Sequence, residues 1–502
     1  MYEHVRAHQV FCQASFKKAE GDTIIKILFA ASECARYVKT GGLGDVADAL
    51  PHALAATGDC ELRVFLPYYK SVKDNHAADV RFLKSFRVQL GWRSQYVGLF
   101  TAGKGALTYY FIDNEYYFFR DALYGHFDDG ERFAFFAFAV LEAMRQMDWF
   151  PDVLHANDWQ TALLPFLRPI FARSDERYAP IKTLFTIHNM EYQGQVPMDF
   201  AGDVLGLPPE YIPALRYDDC LNFMKAGILC ADRVNTVSRT YAEELRYPFF
   251  AHGMAPVIRQ EGHKLRGIVN GIDTARYNPA ADKHLAARYS ADRPAAKSKD
   301  KAALRREFGL PEDADTPIVA VISRLVAHKG MELIERVLPE LLDLGLQFVV
   351  LGTGEKRFED LFRWWAGARP QSFSARLLFD DAAASRLYAG ADMVLMPSKQ
   401  EPCGLTQLIA MRYGTVPVVR ATGGLKDTVP PYNPETMEGR GFTFQNYDAY
   451  DMLDAVRRAV ALFREDRRRW YRLRKADMAF DSSWAASVKE YRALYRDMTS
   501  FS

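Results

Sequence analysis

Two separated glycine-containing stretches carry the residue types that bind phosphate groups. The first, Lys39-Thr-Gly-Gly-Leu-Gly-Asp45, follows an apolar run and precedes a helix-like run. The second contains Arg324 and Lys329 and ends at Gly330. A glycine turn that opens a helix offers free backbone N–H groups and a positive dipole end to an anion. Arg grips phosphate bidentately and Lys adds a point charge, so the two stretches together predict a diphosphate-linked donor held between two parts of the chain.

A third stretch, Glu401-Pro-Cys-Gly-Leu-Thr-Gln407, places a carboxylate directly before another glycine-bearing helix start. It follows the apolar run Met393–Met396, so it lies where a buried strand would end. Glu401 either complements the dipole of the following helix or stabilises positive charge on a sugar. The residues alone leave both interpretations open. Cys403 is expected to be a small buried thiol.

Two polar clusters suggest a sugar pocket. His155-Ala-Asn-Asp158-Trp159 and Thr186-Ile-His188-Asn189 each follow a strand-like run, and each contains a histidine near Asp or Asn. A single histidine at a strand end is more often a structural hydrogen-bonding residue. Two such clusters at neighbouring strand ends favour hydroxyl binding, and Trp159 can offer an apolar face to a glucose ring.

No metal site and no cofactor are expected. Three acidic pairs invite a metal interpretation, but they lack a convergent set of ligands, so capping or solvated carboxylates are the better interpretation. Arg324, Lys329 and helix termini can neutralise a diphosphate without a metal ion. The pairs are Asp128-Asp129, Asp218-Asp219 and Asp380-Asp381.

These candidate residues lie at the ends of short apolar runs, and the runs predict the fold. They alternate with helix-length amphipathic segments, the pattern of an α/β protein with parallel sheets covered by helices. Open α/β sheets bind ligands at the carboxyl ends of their strands. Aromatic alternation around Phe86–Phe100 predicts an added hairpin. The predicted strands are Ile24–Ala31, Leu62–Leu66, Leu107–Ile112, Val153–His155, Thr183–Ile187, Arg233–Thr236, Ile318–Ile322, Phe348–Leu351, Ala375–Phe379, Met393–Met396 and Val416–Val419.

A chain of 502 residues is too long for one core. The shared βα rhythm of its halves predicts two doubly wound domains, with a boundary near Gly262–Gly267. The segment Pro279–Lys301 has few large apolar residues and is expected to be an exposed connection. The helix Trp484–Tyr495 has aromatic residues on one face and is expected to pack back on the first domain. The expected divisions are an N-terminal extension at 1–22, a first domain at 23–263, a second domain at 264–480 and a C-terminal helix at 481–502.

Composition excludes several classes of protein. Hydrophobic residues make up 49% and charged residues 25% of the chain, as in soluble globular proteins. The net charge of +1 gives no reason to expect a nucleic-acid or membrane-surface partner. Six cysteines without metal-ligand spacing or a CxxC pair are expected to be free thiols in a reducing compartment. With no membrane-length apolar run and no signal-peptide pattern, we expect a cytoplasmic protein.

The motifs as a set resemble those of the bacterial glycogen synthases and plant starch synthases, which are retaining glycosyltransferases of the GT-B fold. The resemblance runs from about Ile24 to about Tyr495, nearly the whole chain, and the set is specific although no single motif is. It implies two Rossmann-like domains that face each other across a cleft. The motifs that carry it are Lys39–Asp45, His155–Trp159, Thr186–Gly194, Val269–Asp273, Ser323–Gly330, Glu401–Gln407 and Thr422–Asp427.

The resemblance implies transfer of glucose, with retention, from a nucleotide-diphosphate glucose to the non-reducing 4-hydroxyl of an α-1,4-glucan, either glycogen or starch. ADP-glucose is the expected donor. The catalytic residues that it implies are Lys39, Asp158, His188, Arg324, Lys329 and Glu401. The donor-binding residues that it implies are Gly41, Gly42, Asp45, Asn270, Phe379, Cys403, Gly404, Leu405 and Thr406.

Within that site, the resemblance places Lys39, Arg324 and Lys329 at the donor diphosphate. It brings His188 and Asn270 near the transferred glucose. Asp158 is expected where the donor and acceptor sugars meet. Glu401 is expected to contact the glucose and to stabilise positive charge at its anomeric carbon, and Phe379 to stack on the base.

Two positions depart from the family pattern. Asn157 stands where the family frequently has histidine, and Phe379 replaces a common tyrosine, which keeps stacking but removes a hydroxyl. Three alternatives stay open from the sequence: UDP-glucose as the donor, a lipid or small molecule as the acceptor, and a glucan-binding protein without catalysis. The intact set of charged residues argues against the last of these.

Overall fold

The computed structural model describes residues 24–500, so the N-terminal extension expected at 1–22 lies outside the described residues. The strands are β1 Ile25–Ala30, β2 Cys60–Pro67, β3 Arg81–Leu90, β4 Arg93–Lys104, β5 Leu107–Asp113, β6 Val153–Asn157, β7 Lys182–Ile187, β8 Gln195–Pro197, β9 Arg216–Tyr217, β10 Cys220–Asn222, β11 Arg233–Thr236, β12 Leu265–Gly267, β13 Ile318–Ile322, β14 Gln347–Leu351, β15 Phe373–Arg376, β16 Met393–Met396, β17 Val416–Arg420 and β18 Phe442–Phe444. The α-helices are α1 Gly42–Ala55, α2 Lys70–His76, α3 Glu115–Phe118, α4 Asp129–Gln146, α5 Leu163–Ala172, α6 Phe200–Asp203, α7 Ile212–Leu215, α8 Phe223–Cys230, α9 Arg239–Glu244, α10 Pro248–Ala251, α11 Ala255–Gln260, α12 Lys297–Phe308, α13 Met331–Asp343, α14 Lys356–Ala368, α15 Asp381–Gly390, α16 Thr406–Arg412, α17 Gly423–Thr428, α18 Ala449–Glu465, α19 Arg467–Ala479 and α20 Trp484–Thr499.

The first large sheet has nine strands in the order β12-β11-β7-β6-β1-β2-β5-β4-β3. Strands β12 to β5 are parallel, and β4 and β3 add an antiparallel hairpin at one edge, as the aromatic alternation predicts. Its central strands are almost entirely buried, which explains why apolar residues predominate in them. Strand order reverses between β1 and β6, and the loops after these two strands carry Lys39 and Asp158.

The second large sheet has six parallel strands in the order β15-β14-β13-β16-β17-β18. Numbered along the chain, this is the 3-2-1-4-5-6 order of the Rossmann fold. The order reverses between β13 and β16, and ligands of such sheets bind in the crevice outside this switch point. Arg324 follows β13 and Glu401 follows β16, so the two predicted motifs lie at the switch point of their sheet.

The C-terminal helix α20 returns to the first sheet and completes its core. Trp484, Tyr491 and Tyr495 are buried there among first-sheet residues. The chain crosses between the sheets twice, and the crossings are adjacent, since Ile272 and Ser483 form a β-bridge. A Cβ at Gly271 would lie 2.6 Å from the Ser483 backbone, so only glycine permits this approach. The predicted fold, two doubly wound domains with a returning helix, is confirmed.

Several local predictions differ from the structure. The strand predicted at Ala375–Phe379 is β15, Phe373–Arg376, which leaves Phe379 in the following loop. The short strands β12 and β18 were not predicted, nor was the small sheet of β8, β10 and β9. The expectation of an exposed connection is wrong for the end of Pro279–Lys301, because Lys297 begins α12 and is buried. Its Nζ donates to the carbonyl oxygens of Tyr388 and Ala389 at 3.1 and 2.7 Å.

Candidate active site

A cleft of about 1720 Å³ lies between the two sheets, where their switch points face each other. Its walls come from the loops after β1, β6 and β7 on one side and after β13, β15 and β16 on the other. All six residues predicted as catalytic and all nine predicted as donor-binding line this one cleft. The structure therefore brings the predicted residues together, while their individual roles stay predictions.

On the first-domain side, the glycine loop after β1 carries a lysine–carboxylate pair. Lys39 Nζ lies 3.1 and 3.3 Å from the two carboxylate oxygens of Asp45. Below the loop, the Glu33 carboxylate accepts hydrogen bonds from the Thr40 amide and hydroxyl and from the Gly41 amide. Burial raises the pKa of Glu33. Gly42 then begins α1, whose first N–H groups have no intrahelical partner and can bind an anion.

On the second-domain side, the loops after β13 and β16 form another lysine–carboxylate pair. Lys329 Nζ donates to both carboxylate oxygens of Glu401, at 2.8 and 2.7 Å. The Ser398 hydroxyl donates to the same carboxylate at 2.8 Å. Arg324 is exposed on the cleft wall, and no residue within 24–500 forms an ion pair with it. A guanidinium in that position is free to bind an incoming phosphate group.

The loop after β6 holds Asp158 in a constrained backbone conformation, with φ of 57° and ψ of 177°. Its Oδ1 accepts from the backbone amides of His188 and Asn189, at 2.7 and 3.2 Å. Burial nevertheless raises the pKa of Asp158 to about 7. Non-glycine residues in this region of φ/ψ space store strain of about 1–3 kcal/mol and cluster at functional sites.

His188 is a neutral imidazole whose tautomer follows from its neighbour. Asn157 Nδ2 donates to the Ala30 carbonyl at 3.0 Å, which leaves Asn157 Oδ1 as an acceptor. His188 Nε2 lies 2.9 Å from that oxygen and therefore carries the proton. Burial lowers the pKa of His188 to about 3. The residue is suited to orienting polar groups and not to supplying a positive charge.

Two further predicted residues have features that favour a bound ligand. The Asn270 side chain is buried, and its Oδ1 has no hydrogen-bond partner among the described residues. A buried amide oxygen without a partner is unfavourable unless a ligand supplies a donor. Phe379 is 78% exposed although it lies on the cleft wall. An aromatic ring in that position can stack on a planar group.

The loop that begins at Cys403 supplies the start of α16. Cys403 is buried and its thiol pKa is raised to about 12 by burial, as expected for an inert thiol. Gly404 adopts φ of +74°, the left-handed region. Leu405 is the N-cap of α16 and Thr406 its first residue, so their N–H groups face the cleft without intrahelical partners.

The structure also corrects one part of the sugar-pocket interpretation. His155 does not line the cleft; it is fully buried beneath α20, with Nδ1 2.8 Å from the Tyr495 hydroxyl and Nε2 2.6 Å from Thr186 Oγ1. Asp380 is a helix cap, as expected, because its Oδ1 accepts from Ala382 and Ala383 at 2.8 and 3.0 Å.

Sequence reasoning missed Glu33 and Ser398, which support the two lysine-bearing loops. Glu33 stands three residues after β1 and Ser398 two residues after β16, the position in which parallel strands present functional groups. Strand-end position alone was the available signal.

Among residues 24–500 no group of three or more His, Cys, Asp or Glu side chains is arranged to hold a metal ion. Within the same range, no helix is long and apolar enough to cross a membrane.

Comparison with known proteins identifies the family. Residues 26–260 match the family model for the starch synthase catalytic domain, and residues 302–475 match the model for glycosyl transferases group 1. The chain is 45% identical over 476 residues to a glycogen synthase of Ligilactobacillus salivarius, which covers 94% of this chain and 100% of that relative. It is 46% identical, with the same coverage, to a glycogen synthase of Bacillus cereus strain ATCC 10987.

Solved structures agree with this assignment. The catalytic domain of starch synthase IV from Arabidopsis thaliana, bound to ADP and acarbose, superposes with a TM-score of 0.88 at 33% identity, covering 95% of this chain and 100% of that one. A sucrose-phosphate synthase of Thermosynechococcus elongatus, 18% identical with a TM-score of 0.60, shares the fold. The chain belongs to the glycogen and starch synthase family of GT-B glycosyltransferases.

Proposed function

We propose that the chain transfers glucose, with retention, from ADP-glucose to the non-reducing 4-hydroxyl of an α-1,4-glucan. The observation that carries the proposal is that two switch points, each with a lysine–carboxylate pair, face each other across one cleft. The relatives named glycogen synthase support glucosyl transfer. The ADP bound to the Arabidopsis starch synthase domain supports ADP as the nucleotide of the donor.

The positive charges of the cleft bind the donor diphosphate and stabilise it as it leaves. Breaking the anomeric C–O bond places negative charge on the leaving diphosphate. Arg324 and Lys329 lie on the second-domain wall, with the first N–H groups of α16, and Lys39 lies opposite them with those of α1. Preorganised donors and cations of this kind stabilise the charge as it develops.

The transferred glucose is assigned to the space between the two walls. Asn270 Oδ1 accepts from a sugar hydroxyl, which gives that buried oxygen its missing partner. Glu401 stabilises positive charge at the anomeric carbon, and Asp158 lies where the two sugars meet. Phe379 stacks on the base.

We assign a same-face displacement to the chemical step. The acceptor 4-oxygen attacks the anomeric carbon on the face from which the diphosphate leaves, and its proton passes to a diphosphate oxygen. Charge is balanced without a covalent intermediate on the protein. Trapping a glucosyl adduct on Asp158 or Glu401 would contradict this mechanism.

The remaining assignments are proposals of the same kind. We keep the divisions at 22/23, 263/264 and 480/481, while the last strand of the first sheet, β12 at Leu265–Gly267, lies just beyond the second of them. We propose that the domains hinge near Gly262–Gly267 and again before the C-terminal helix at Trp484, on either side of the β-bridge between Ile272 and Ser483. Three further points stay predictions from the sequence. They are a cytoplasmic location, a reaction that needs neither metal nor cofactor, and the absence of a nucleic-acid or membrane partner.

A donor competition assay tests the function. The protein is incubated with glycogen and an equimolar mixture of ADP-glucose and UDP-glucose, each carrying a different isotope in its glucose. We expect incorporation chiefly from ADP-glucose. Preference for UDP-glucose would identify UDP-glucose as the donor instead. In a parallel incubation with a lipid or small-molecule acceptor in place of glycogen, incorporation there but not into glycogen would reject the glucan as the acceptor. No incorporation from either donor would reject glucosyl transfer.

A further inference from the structure

Two short helices from different sheets meet outside the cleft. Helix α9 (Arg239–Glu244) follows β11 of the first sheet, and α17 (Gly423–Thr428) follows β17 of the second. We call their contact the α9–α17 seam. It is a contact between the two halves of the molecule in addition to the two chain crossings.

Each helix of the seam is capped by a carboxylate from the other. The Glu244 carboxylate accepts from the Thr422 hydroxyl at 2.8 Å and from the Gly423 amide at 3.0 and 3.1 Å. Asp427 accepts from the Thr240 amide at 3.0 Å and from the Thr240 hydroxyl at 2.6 Å. Carboxylates at helix N-termini satisfy free N–H groups and complement the helix dipole. The seam is therefore a reciprocal, polar and orientation-specific contact.

The seam also holds the backbone of Glu401. Gly424 N donates to the Glu401 carbonyl oxygen at 3.0 Å. Gly423 has φ of +46°, and a Cβ there would lie 2.0 Å from the same oxygen, so α17 approaches Glu401 as closely as a glycine allows. From the first domain, the Ser238 hydroxyl donates to the Pro402 carbonyl at 2.5 Å. Glu401 thus depends on atoms of both domains for its position.

We propose that Glu244 is a positioning residue for glucosyl transfer: by capping α17, it fixes the Glu401 backbone where that side chain faces the donor. Glu244 touches neither substrate and acts through Gly423 and Gly424. The inference rests on the proposed function, since Glu401 is assigned there to stabilise charge on the glucose. The second-domain site is therefore competent only when the seam is docked, because the carboxylate that caps α17 comes from the first domain.

The first experiment compares Glu244→Gln with Glu243→Gln. Glu243 is the neighbour of Glu244 on α9, but its side chain is 71% exposed and pairs with Arg246 at 3.2 Å. With ADP-glucose and glycogen, Glu244→Gln should lower kcat by about ten- to a hundredfold, the range for losing hydrogen bonds to a charged group, with little change in the KM for ADP-glucose. Glu243→Gln should match the wild type. A wild-type kcat for Glu244→Gln, or a change confined to KM, would overturn the inference.

The second experiment separates positioning from general stability. If Glu244 acts through Glu401, then Glu244→Gln should cause no further loss of kcat when combined with Glu401→Gln. Multiplication of the two single losses in the double variant would overturn the inference, because residues that act independently give additive free energies. A merely structural role for Glu244 predicts that multiplication.

A milder variant covers the case in which Glu244→Gln does not fold. Thr422→Val keeps the shape of a buried side chain and removes only the hydroxyl that donates to Glu244. It should lower kcat several-fold at unchanged KM, and an unchanged kcat would count against the inference. A wild-type protein without glucosyl transfer would reject the proposed function itself. An active wild type with unaffected seam variants would reject the seam inference alone.

Discussion

Each wall of the cleft holds a lysine–carboxylate pair, but the surrounding residues hold the two pairs with different firmness. Each switch point presents a lysine paired with a carboxylate, Lys39 with Asp45 and Lys329 with Glu401. The second pair is shorter, with both contacts below 3 Å, and its carboxylate side chain is 9% exposed against 22% for Asp45. Ser398 adds a further hydrogen bond to Glu401, whereas Glu33 holds the backbone of the first loop and not its charged pair.

This difference indicates that the two walls have different roles in the reaction. Electrostatic stabilisation is effective when the charged groups are held in place before the reaction. The second-domain pair meets that condition, and the α9–α17 seam fixes it further. The first-domain pair is more accessible, and Arg276 Nη1 lies 4.0 Å from Asp45 as a second cation. The second wall is suited to the chemical step, and the first wall to binding.

Lys329→Ala should have the largest effect. It removes a cation from the leaving group and leaves the buried Glu401 carboxylate without its partner. We expect kcat to fall by about two to three orders of magnitude, the loss typical of removing one charge-stabilising group. Steady-state kinetics with ADP-glucose and glycogen measure it. Lys356→Ala, at an 85% exposed lysine of α14 outside the cleft, is the control. A folded Lys329→Ala protein with normal turnover would remove Lys329 from the site.

Asp158→Asn tests a first-domain carboxylate that has no lysine partner. Burial raises the pKa of Asp158 from 3.8 to about 7. Between these values the folded protein binds a proton that the unfolded chain does not, so this group lowers the free energy of unfolding as pH rises to about 7, with no further change above it. Asparagine removes the titration and can keep both backbone hydrogen bonds. As pH rises from 5 to 8, the free energy of unfolding of the variant should therefore increase by about 2–3 kcal/mol relative to that of the wild type.

Urea unfolding at a series of pH values measures this gain. A difference between variant and wild type that does not change with pH would show that Asp158 is not titrating in this range. The same variant should lose glucosyl transfer. Gain of stability with loss of activity would identify Asp158 as a carboxylate held at a stability cost for function.

The comparison also shows what local sequence patterns can and cannot predict. The bounds of β13 and β16 match the predicted strands because a buried parallel strand is a continuous apolar run, and that run is visible without any tertiary information. The motifs at the ends of these strands are predicted on the same basis, because ligands bind at the carboxyl ends of parallel strands. Strands of three residues, such as β12 and β18, are too short to show a pattern, and tertiary pairing alone defines them.

Contacts between distant parts of the chain were beyond prediction. Glu33 belongs to no motif, and its role appears only when the glycine loop folds over it. Glu244 meets Gly423 from the other sheet, 179 positions along the chain. Lys297 has a polar sequence context, yet folding buries it against carbonyl oxygens of α15. In each case the partner, and not the residue type, determines the role.

Lys39→Ala should have a smaller effect than Lys329→Ala if the two walls differ as described. Asp45 keeps Arg276 as a neighbouring cation. Lys39 is also held by longer contacts than Lys329, at 3.1 and 3.3 Å against 2.8 and 2.7 Å. We expect a loss of about tenfold in kcat/KM for ADP-glucose, the lower end of what hydrogen bonds to charged groups contribute, mainly through KM. Kinetics under the conditions used for Lys329→Ala give the ratio. Equal losses of kcat in the two variants would mean that the walls contribute equally to the chemical step.

The smallest expected effect lies under the first wall, where α20 supports β6. Thr186 Oγ1 donates to Asn235 Oδ1, so it accepts from His155 Nε2, and His155 Nδ1 must accept from the Tyr495 hydroxyl at 2.8 Å. Burial lowers the pKa of His155, which keeps it neutral in this chain of hydrogen bonds.

Tyr495→Phe leaves the buried His155 Nδ1 without a donor and should lower the free energy of unfolding by about 1–2 kcal/mol. Activity at 25 °C should stay at the wild-type level, because neither His155 nor Tyr495 lines the cleft. Urea unfolding and the glycogen assay measure the two quantities on one preparation. Phe138→Leu, a volume change in the same domain away from this chain of hydrogen bonds, controls for nonspecific loss of stability. Reduced activity in a fully folded Tyr495→Phe protein would show that α20 positions the first wall for catalysis and does not merely support it.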